Sequence, residues 1–302
     1  MNIKFRKYDV LKDFKRVGDF LIEHHQTDNK DGNFPQPAWE YMHGHPWLDE
    51  KSLDNIGIWE DSGRIVGVVH YESILGEAFF EIHPQYTHLK PEMLEYAEKY
   101  LYGKTPEGRK YLKAFINDFD IELEAIVKSR GYEKDDIHSR PMSQLTITHP
   151  FRPVVPLPDG FRLKSLAEDN DLTKLDRVIC RGFNHGDEPP TTDYEGRKKQ
   201  QSVPNFRKDL NIIIVAPDGN YVAYAGTWFE AKNKYAYIEP VCTDPDYRRM
   251  GLGKTAVLEG IRRCGESGAQ VAYVGSVQPF YRALGFRKIF TPNCWIKYFD
   301  SH

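Results

Sequence analysis

The chain runs through one order of elements twice, and this repetition limits the folds open to it more than any other feature. Each half opens with a short extended run, Ile3-Lys4-Phe5-Arg6 and Phe161-Arg162-Leu163-Lys164. A helical stretch and a polar loop follow. Next comes a hairpin, with its turn at Asp61-Ser62-Gly63 in the first half and at Asp218-Gly219 in the second. The first hairpin pairs residues 56–60 with 65–72, and the second pairs 211–216 with 221–230. Both halves then present a strand ending near a proline: residues 79–83 before Pro84, and 235–243 before Pro245. Helical segments follow, and near the end stand Arg130-Gly131-Tyr132 and Leu284-Gly285-Phe286. Between the halves, residues 149–160 hold four prolines, too many for a helix or a central strand. The expected organisation is a domain over 1–149, a proline-rich linker over 150–159 and a second domain over 160–302.

A chain of 302 residues accommodates two such domains, each with its own core. Hydrophobic residues at 40% and charged residues at 28% fit a soluble globular protein. The formal net charge of −3 offers no bulk attraction to nucleic acid. No run approaches the roughly 20 apolar residues that span a bilayer, and the N-terminal residues lack a signal-peptide core. Cys180, Cys242, Cys264 and Cys294 are scattered without metal-ligand or disulfide spacing. These features lead us to expect a cytoplasmic protein with no metal and no nucleic-acid or membrane partner. The oligomeric state stays open.

The second half carries Arg248-Arg249-Met250-Gly251-Leu252-Gly253-Lys254 between a strand and an amphipathic helix. Glycines let the backbone turn sharply and approach a ligand. The first amides of a helix have no internal partner and sit at the positive end of its dipole, an arrangement suited to phosphate. A Walker A loop would need glycine where Arg248 stands. A dinucleotide fingerprint fits the letters through Ala256 but lacks its βαβ setting. Laying Pro84 on Pro245 puts Thr87 on Arg248, Lys90 on Gly251, Pro91 on Leu252 and Glu92 on Gly253. The first half therefore lacks every element of the cradle, and we expect it to be structural or to shape the entrance to the second.

The run from Tyr237 through Thr243-Asp244-Pro245-Asp246-Tyr247 to Lys254 resembles the central motif of the GNAT superfamily, the acyl-CoA-dependent N-acyltransferases. The family's Y-x-x-x-G-F signature is matched by Tyr281-Arg282-Ala283-Leu284-Gly285-Phe286. The resemblance implies an α+β fold, two tandem GNAT-like domains of mixed twisted sheet flanked by helices, the N-terminal copy degenerate. It also implies an N-acetyltransferase moving acetyl from acetyl-CoA to a primary amine of a small molecule or peptide, by direct attack in a ternary complex. Backbone groups of Val241, Cys242 and Thr243 would line the pantetheine arm, opposite a wall formed by residues 271–274. Arg248, Arg249, Met250, Gly251, Leu252, Gly253, Lys254 and Thr255 would surround the diphosphate. Tyr281 would be the acid and Glu239 the base, and strict alternation along the strand would put Glu239 on one face with Val241 and Thr243. Asp187 and Glu188 are candidates for binding a cationic acceptor. The alternatives are a non-catalytic acyl-CoA-binding or sensing module, and an acyltransferase using another acyl-CoA donor.

Overall fold

The computed structural model describes residues 2–148, 151, 156–189 and 194–299. Residues 149–150 and 152–155 of the proline-rich linker, and Pro190 of the loop carrying Asp187 and Glu188, lie outside that description.

In chain order the first elements are β1 (Ile3–Lys7), α1 (Val10–His24), α2 (Gln36–Gly44), β2 (Gly57–Asp61), β3 (Arg64–His70), β4 (Glu77–Ile82) and α3 (Lys90–Tyr100). They are followed by β5 (Gly103–Lys104), β6 (Lys110–Asn117), α4 (Ile121–Ser129), β7 (Glu133–Asp135) and β8 (Met142–Thr146). The repeat then restarts with β9 (Arg162–Ser165), α5 (Leu172–Gly182), α6 (Glu195–Gln200), β10 (Ile212–Val215), β11 (Tyr221–Glu230) and β12 (Tyr235–Thr243). It closes with α7 (Leu252–Glu266), β13 (Val271–Val274), α8 (Pro279–Leu284), β14 (Arg287–Phe290) and β15 (Pro292–Phe299). Both expected hairpins form, as do both proline-bounded strands. No helix among the described residues is long and apolar enough to cross a membrane.

Each unit is a mixed sheet flanked by helices. The first sheet runs β1-β2-β3-β4-β6-β15-β7 with β5 on β6, and the second runs β14-β8-β13-β12-β11-β10-β9. Each contains a parallel pair that stays together only briefly. In the first, β4 meets β6 at Glu77↔Lys113 and Ala78↔Ala114. In the second, β12 meets β13 at Tyr235↔Val271, Ala236↔Ala272 and Tyr237↔Tyr273. Beyond these rungs the strands part.

Local chemistry explains the helices. Asp9, Asp120 and Asp171 cap α1, α4 and α5 with side-chain oxygens on first-turn amides. Helix α7 turns Val257, Leu258 and Ile261 onto the sheet, where all three are buried. The end of the repeat is closed identically in both halves. Gly131 and Gly285 take the left-handed conformation after α4 and α8, with φ of 79° and 103°. The next amide then reaches back five residues, from Tyr132 to Val127 O and from Phe286 to Tyr281 O, each at 3.1 Å.

The units are not contiguous halves of the chain. The first comprises Met1–Met42, Trp47–Met142 and Ile289–His302, and the second comprises His43–Pro46 and Ser143–Lys288. This corrects the boundaries expected at 149 and 160. Strand β8, before the linker, pairs with β13 from Val271↔Thr146 to Val274↔Ser143. Strand β15, at the other end, pairs with β6 over eight rungs from Pro292↔Asn117 to Phe299↔Lys110. Prolines mark where the chain cannot hydrogen-bond, but they do not mark which sheet a neighbouring strand joins. A fragment of residues 160–302 would lack β8 and carry β15 without β6, whereas 141–290 keeps the second sheet whole. We expect 141–290 to unfold cooperatively by circular dichroism and 160–302 to aggregate or show no transition.

Candidate functional site

The site of the second unit begins with one extra residue in β12. Along β11, Ala225 and Thr227 are two residues apart; their partners on β12, Val241 and Ile238, are three apart. Glu239 and Pro240 thus face Gly226 alone, as a bulge. Glycine is required there, since a Cβ on Gly226 would sit 2.7 Å from Pro240 Cδ and still closer to the Glu239 carbonyl. The bulge corrects the simple alternation expected for this strand. Val241 shares a face with Ile238, packed in the core beneath α7. Glu239 lies on the opposite face with Tyr237, whose hydroxyl donates to Glu239 Oε2 at 2.7 Å.

Past the bulge, β12 and β13 no longer pair, which opens one edge of β12. The Asp244 amide donates to Val222 O at 2.9 Å, so the even positions face β11. By alternation the amides of Val241 and Thr243 turn the other way, into the opening. The Cys242 side chain points to neither. It packs among Leu175, Val178 and Ile179 of α5, and burial pushes its thiol up to about 12.

At the mouth of the opening the chain passes through Arg249 and Gly251, with φ of 66° and 82°, and enters α7. Thr255 is the first residue whose amide bonds back into the helix, to Gly251 O at 3.0 Å. Among the described residues, none of the amides 249–254 has an acceptor. The successive N–H groups form a concave positive site of the kind that binds anions. Arg249 and Lys254 are exposed beside it. Arg248 is placed differently: its guanidinium donates to Thr243 O, Gly182 O and Asn184 Oδ1 at 3.2, 2.9 and 3.3 Å. Its side chain ties the end of α5 to the end of β12. The two glycines have separate reasons. Gly251 supplies the left-handed turn, whereas a Cβ on Gly253 would lie 2.7 Å from Thr243 Oγ1. Gly253 therefore lets the start of α7 close onto the end of β12.

Tyr281, in α8, is 8% exposed and sits edge-on to Phe280 and Phe286. Burial raises its hydroxyl well above the usual tyrosine range, and the negative charge of Glu239 raises it further. That coupling brings Tyr281 and Glu239 to one neighbourhood. Asp187 and Glu188 go elsewhere. Both are exposed; Asp187 pairs with Arg181, and Glu188 with Arg177 Nε at 3.3 Å, on the side of α5.

The first unit keeps the scaffold and lacks these features. Lys90 stands in place of Gly251, its Nζ bound to Asp120 and Glu122 at 2.8 and 2.9 Å. Pro91 has no amide to offer. The Glu92 carboxylate accepts from Trp59 Nε1 at 2.8 Å. Val127, fully buried, holds the position of Tyr281 relative to the closing glycine. Where β4 and β6 part, the rings of Phe79 and Phe115 stack at 4.5 Å with Arg140 over both.

A mixed sheet whose parallel pair parts at a bulge, above a helix with bare leading amides, is the GNAT fold, here in a tandem layout. Residues 174–286, inside the second unit, match the model of the Acetyltransferase (GNAT) family. Mycothiol acetyltransferase of Saccharomonospora viridis is 27% identical over 148 residues, which cover 45% of this chain and 48% of that protein. The chain thus spans about half the length of this relative. A GCN5-related N-acetyltransferase from Sphaerobacter thermophilus has a similar structure, with a TM-score of 0.66 at 16% identity, covering 98% of this chain and 95% of that one. A tandem GNAT protein from the clavulanic acid biosynthesis pathway aligns over both whole chains, with a TM-score of 0.64 at 14% identity. At such identities the structural likenesses speak to the fold.

The Gly253 packing is directly testable. Gly253→Ala should destabilise the second unit by about 1–3 kcal/mol in urea denaturation. Thr243→Ala in the same background should recover part of the loss by removing the hydroxyl.

Proposed function

We propose that the second unit transfers an acetyl group from acetyl-CoA to a primary amine of a small molecule or peptide, within a ternary complex. One observation carries this reading: the run of unpaired amides at 249–254 lies directly at the end of the opened edge of β12. A ligand with a diphosphate at one end and a strand-like arm at the other matches both. The diphosphate is held by those amides with Arg249 and Lys254, and the arm pairs with Val241 and Thr243. The Arg248 side chain, engaged by the protein, contributes through the loop it braces.

The acyl group at the tip of that arm is directed toward the bulge. A free alkyl amine has a pKa around 10, so it must lose a proton before it attacks. Glu239 takes that proton, directly or through water. The amine nitrogen then forms its bond to the thioester carbon and the C–S bond breaks; the proton that the nitrogen gives up on becoming an amide passes, through the Tyr281 hydroxyl or water, to the departing sulfur. The raised pKa of Tyr281 keeps it protonated, and so able to donate, throughout the neutral range. It also disfavours full ionisation, so its main effect is a hydrogen bond to the sulfur as charge develops there. The buried, protonated Cys242 thiol is unsuited to forming an acyl-enzyme, which supports direct transfer.

Release of free thiol from acetyl-CoA across an amine panel tests the reaction. Tyr281→Phe should lower kcat by about 10²–10⁴-fold with little change in KM for acetyl-CoA. Gly253→Glu should abolish acetyl-CoA binding in calorimetry; full activity in that variant would remove the basis of the reading. Because its pKa is raised, loss of the Tyr281 proton should produce no alkaline limb of kcat below the ordinary tyrosine range, about pH 10. Initial rates should follow a sequential pattern in the two substrates.

A further inference from the structure

We infer that Tyr237 is a positioning residue for the reaction, holding the Glu239 carboxylate in the orientation from which it accepts the amine proton. This rests on the reading of Glu239 as the base. The bulge puts Glu239 opposite Gly226, which has no side chain to steady it across the strands. A glutamate has three rotatable side-chain bonds, and fixing them costs entropy. Tyr237, two residues earlier on the same face, supplies the constraint through its hydroxyl on Glu239 Oε2 at 2.7 Å.

Tyr237 is itself held firmly. It is 6% exposed and stands in register between Trp228 of β11 and Tyr273 of β13, the last rung before the strands part. Trp228 adds a second tie, its Nε1 donating to the Glu239 carbonyl at 2.9 Å. Two residues of one rung thus grip one carboxylate oxygen and the main-chain oxygen of the same residue. A hydroxyl donating to a carboxylate favours its ionised, proton-accepting form. Near this face stand, among others, Tyr281 from α8 and Cys242 on β12, with Tyr224 of β11 beside Cys242 and Tyr273 of β13 in register with Tyr237. Arg197 from α6 adds a positive charge that acts on Tyr224 and Cys242. None of them changes in Tyr237→Phe, which keeps the ring and removes only the donor.

The test uses the full chain with wild type, Tyr237→Phe, Glu239→Gln and the double variant. Rates of thiol release from acetyl-CoA are measured from pH 5 to pH 10 with whichever primary amine of the panel turns over fastest. Crystal structures of wild type and Tyr237→Phe are determined alongside. In Tyr237→Phe we expect kcat to fall about ten-fold or more, the acidic limb of kcat/KM to move to higher pH, and KM for acetyl-CoA to hold. The Glu239 carboxylate should leave its wild-type position in the crystal, and the double variant should be no slower than Glu239→Gln. A core aromatic whose hydroxyl merely finds an acceptor would change melting temperature but not the acidic limb. An unmoved carboxylate, or an unshifted limb beside an inactive Glu239→Gln, overturns the role of Tyr237 alone. Full activity in Glu239→Gln overturns the base as well.

Discussion

The second unit depends on how closely the main chain of Glu239 approaches Gly226. Only a residue without a Cβ tolerates that approach, and it lets β12 carry one residue more than its partner. Two consequences follow. The strand leaves its parallel neighbour after Tyr237↔Tyr273 and exposes an edge. The face of every residue before the bulge is also exchanged relative to those after it. Val241 and Thr243 therefore address the opening by their backbone and α7 by their side chains, while Glu239 looks out on the far side. One steric allowance separates the place where a ligand arm can pair from the place where a carboxylate can act.

The two copies show how few residues separate a scaffold with the glycine turn from one without it. The capping glycine, its reach-back hydrogen bond and the brief parallel pairing are common to both. The first copy differs at the helix start, where a buried lysine, a proline and a hydrogen-bonded glutamate replace the glycine turn. It differs again at Val127, and where Phe79 and Phe115 stack beneath Arg140. At the helix start the changes remove or satisfy groups that α7 leaves unpaired. Unpaired amides are unfavourable unless a ligand or water meets them.

Local features of the sequence were legible, and non-local ones were not. The glycine run announced the helix start because left-handed turns and close approaches are properties of single residues. Val257, Leu258 and Ile261 announced the buried face of α7, and residues 271–274 announced β13, because their patterns lie within one element. The face of Glu239 was misjudged because alternation read along one strand contains no information about an insertion relative to its neighbour. Gly226 was the available signal, a lone glycine in an otherwise bulky strand. Arg248 looked like a phosphate ligand by proximity, but its partners Gly182 and Asn184 lie far away in the chain. Asp187 and Glu188 looked free for the same reason, since Arg177 and Arg181 meet them only once the loop folds back on α5.

The placement of β15 between β6 and β7 bears on how the molecule is made. On the ribosome the first sheet emerges with a gap beside its β7 edge, and its missing strand is translated only after every strand of the other sheet. The first sheet therefore cannot be completed before the second has been translated, and until then the facing edges of β6 and β7 lack their partner. The first sheet is thereby completed only in a chain that already contains every strand of the second.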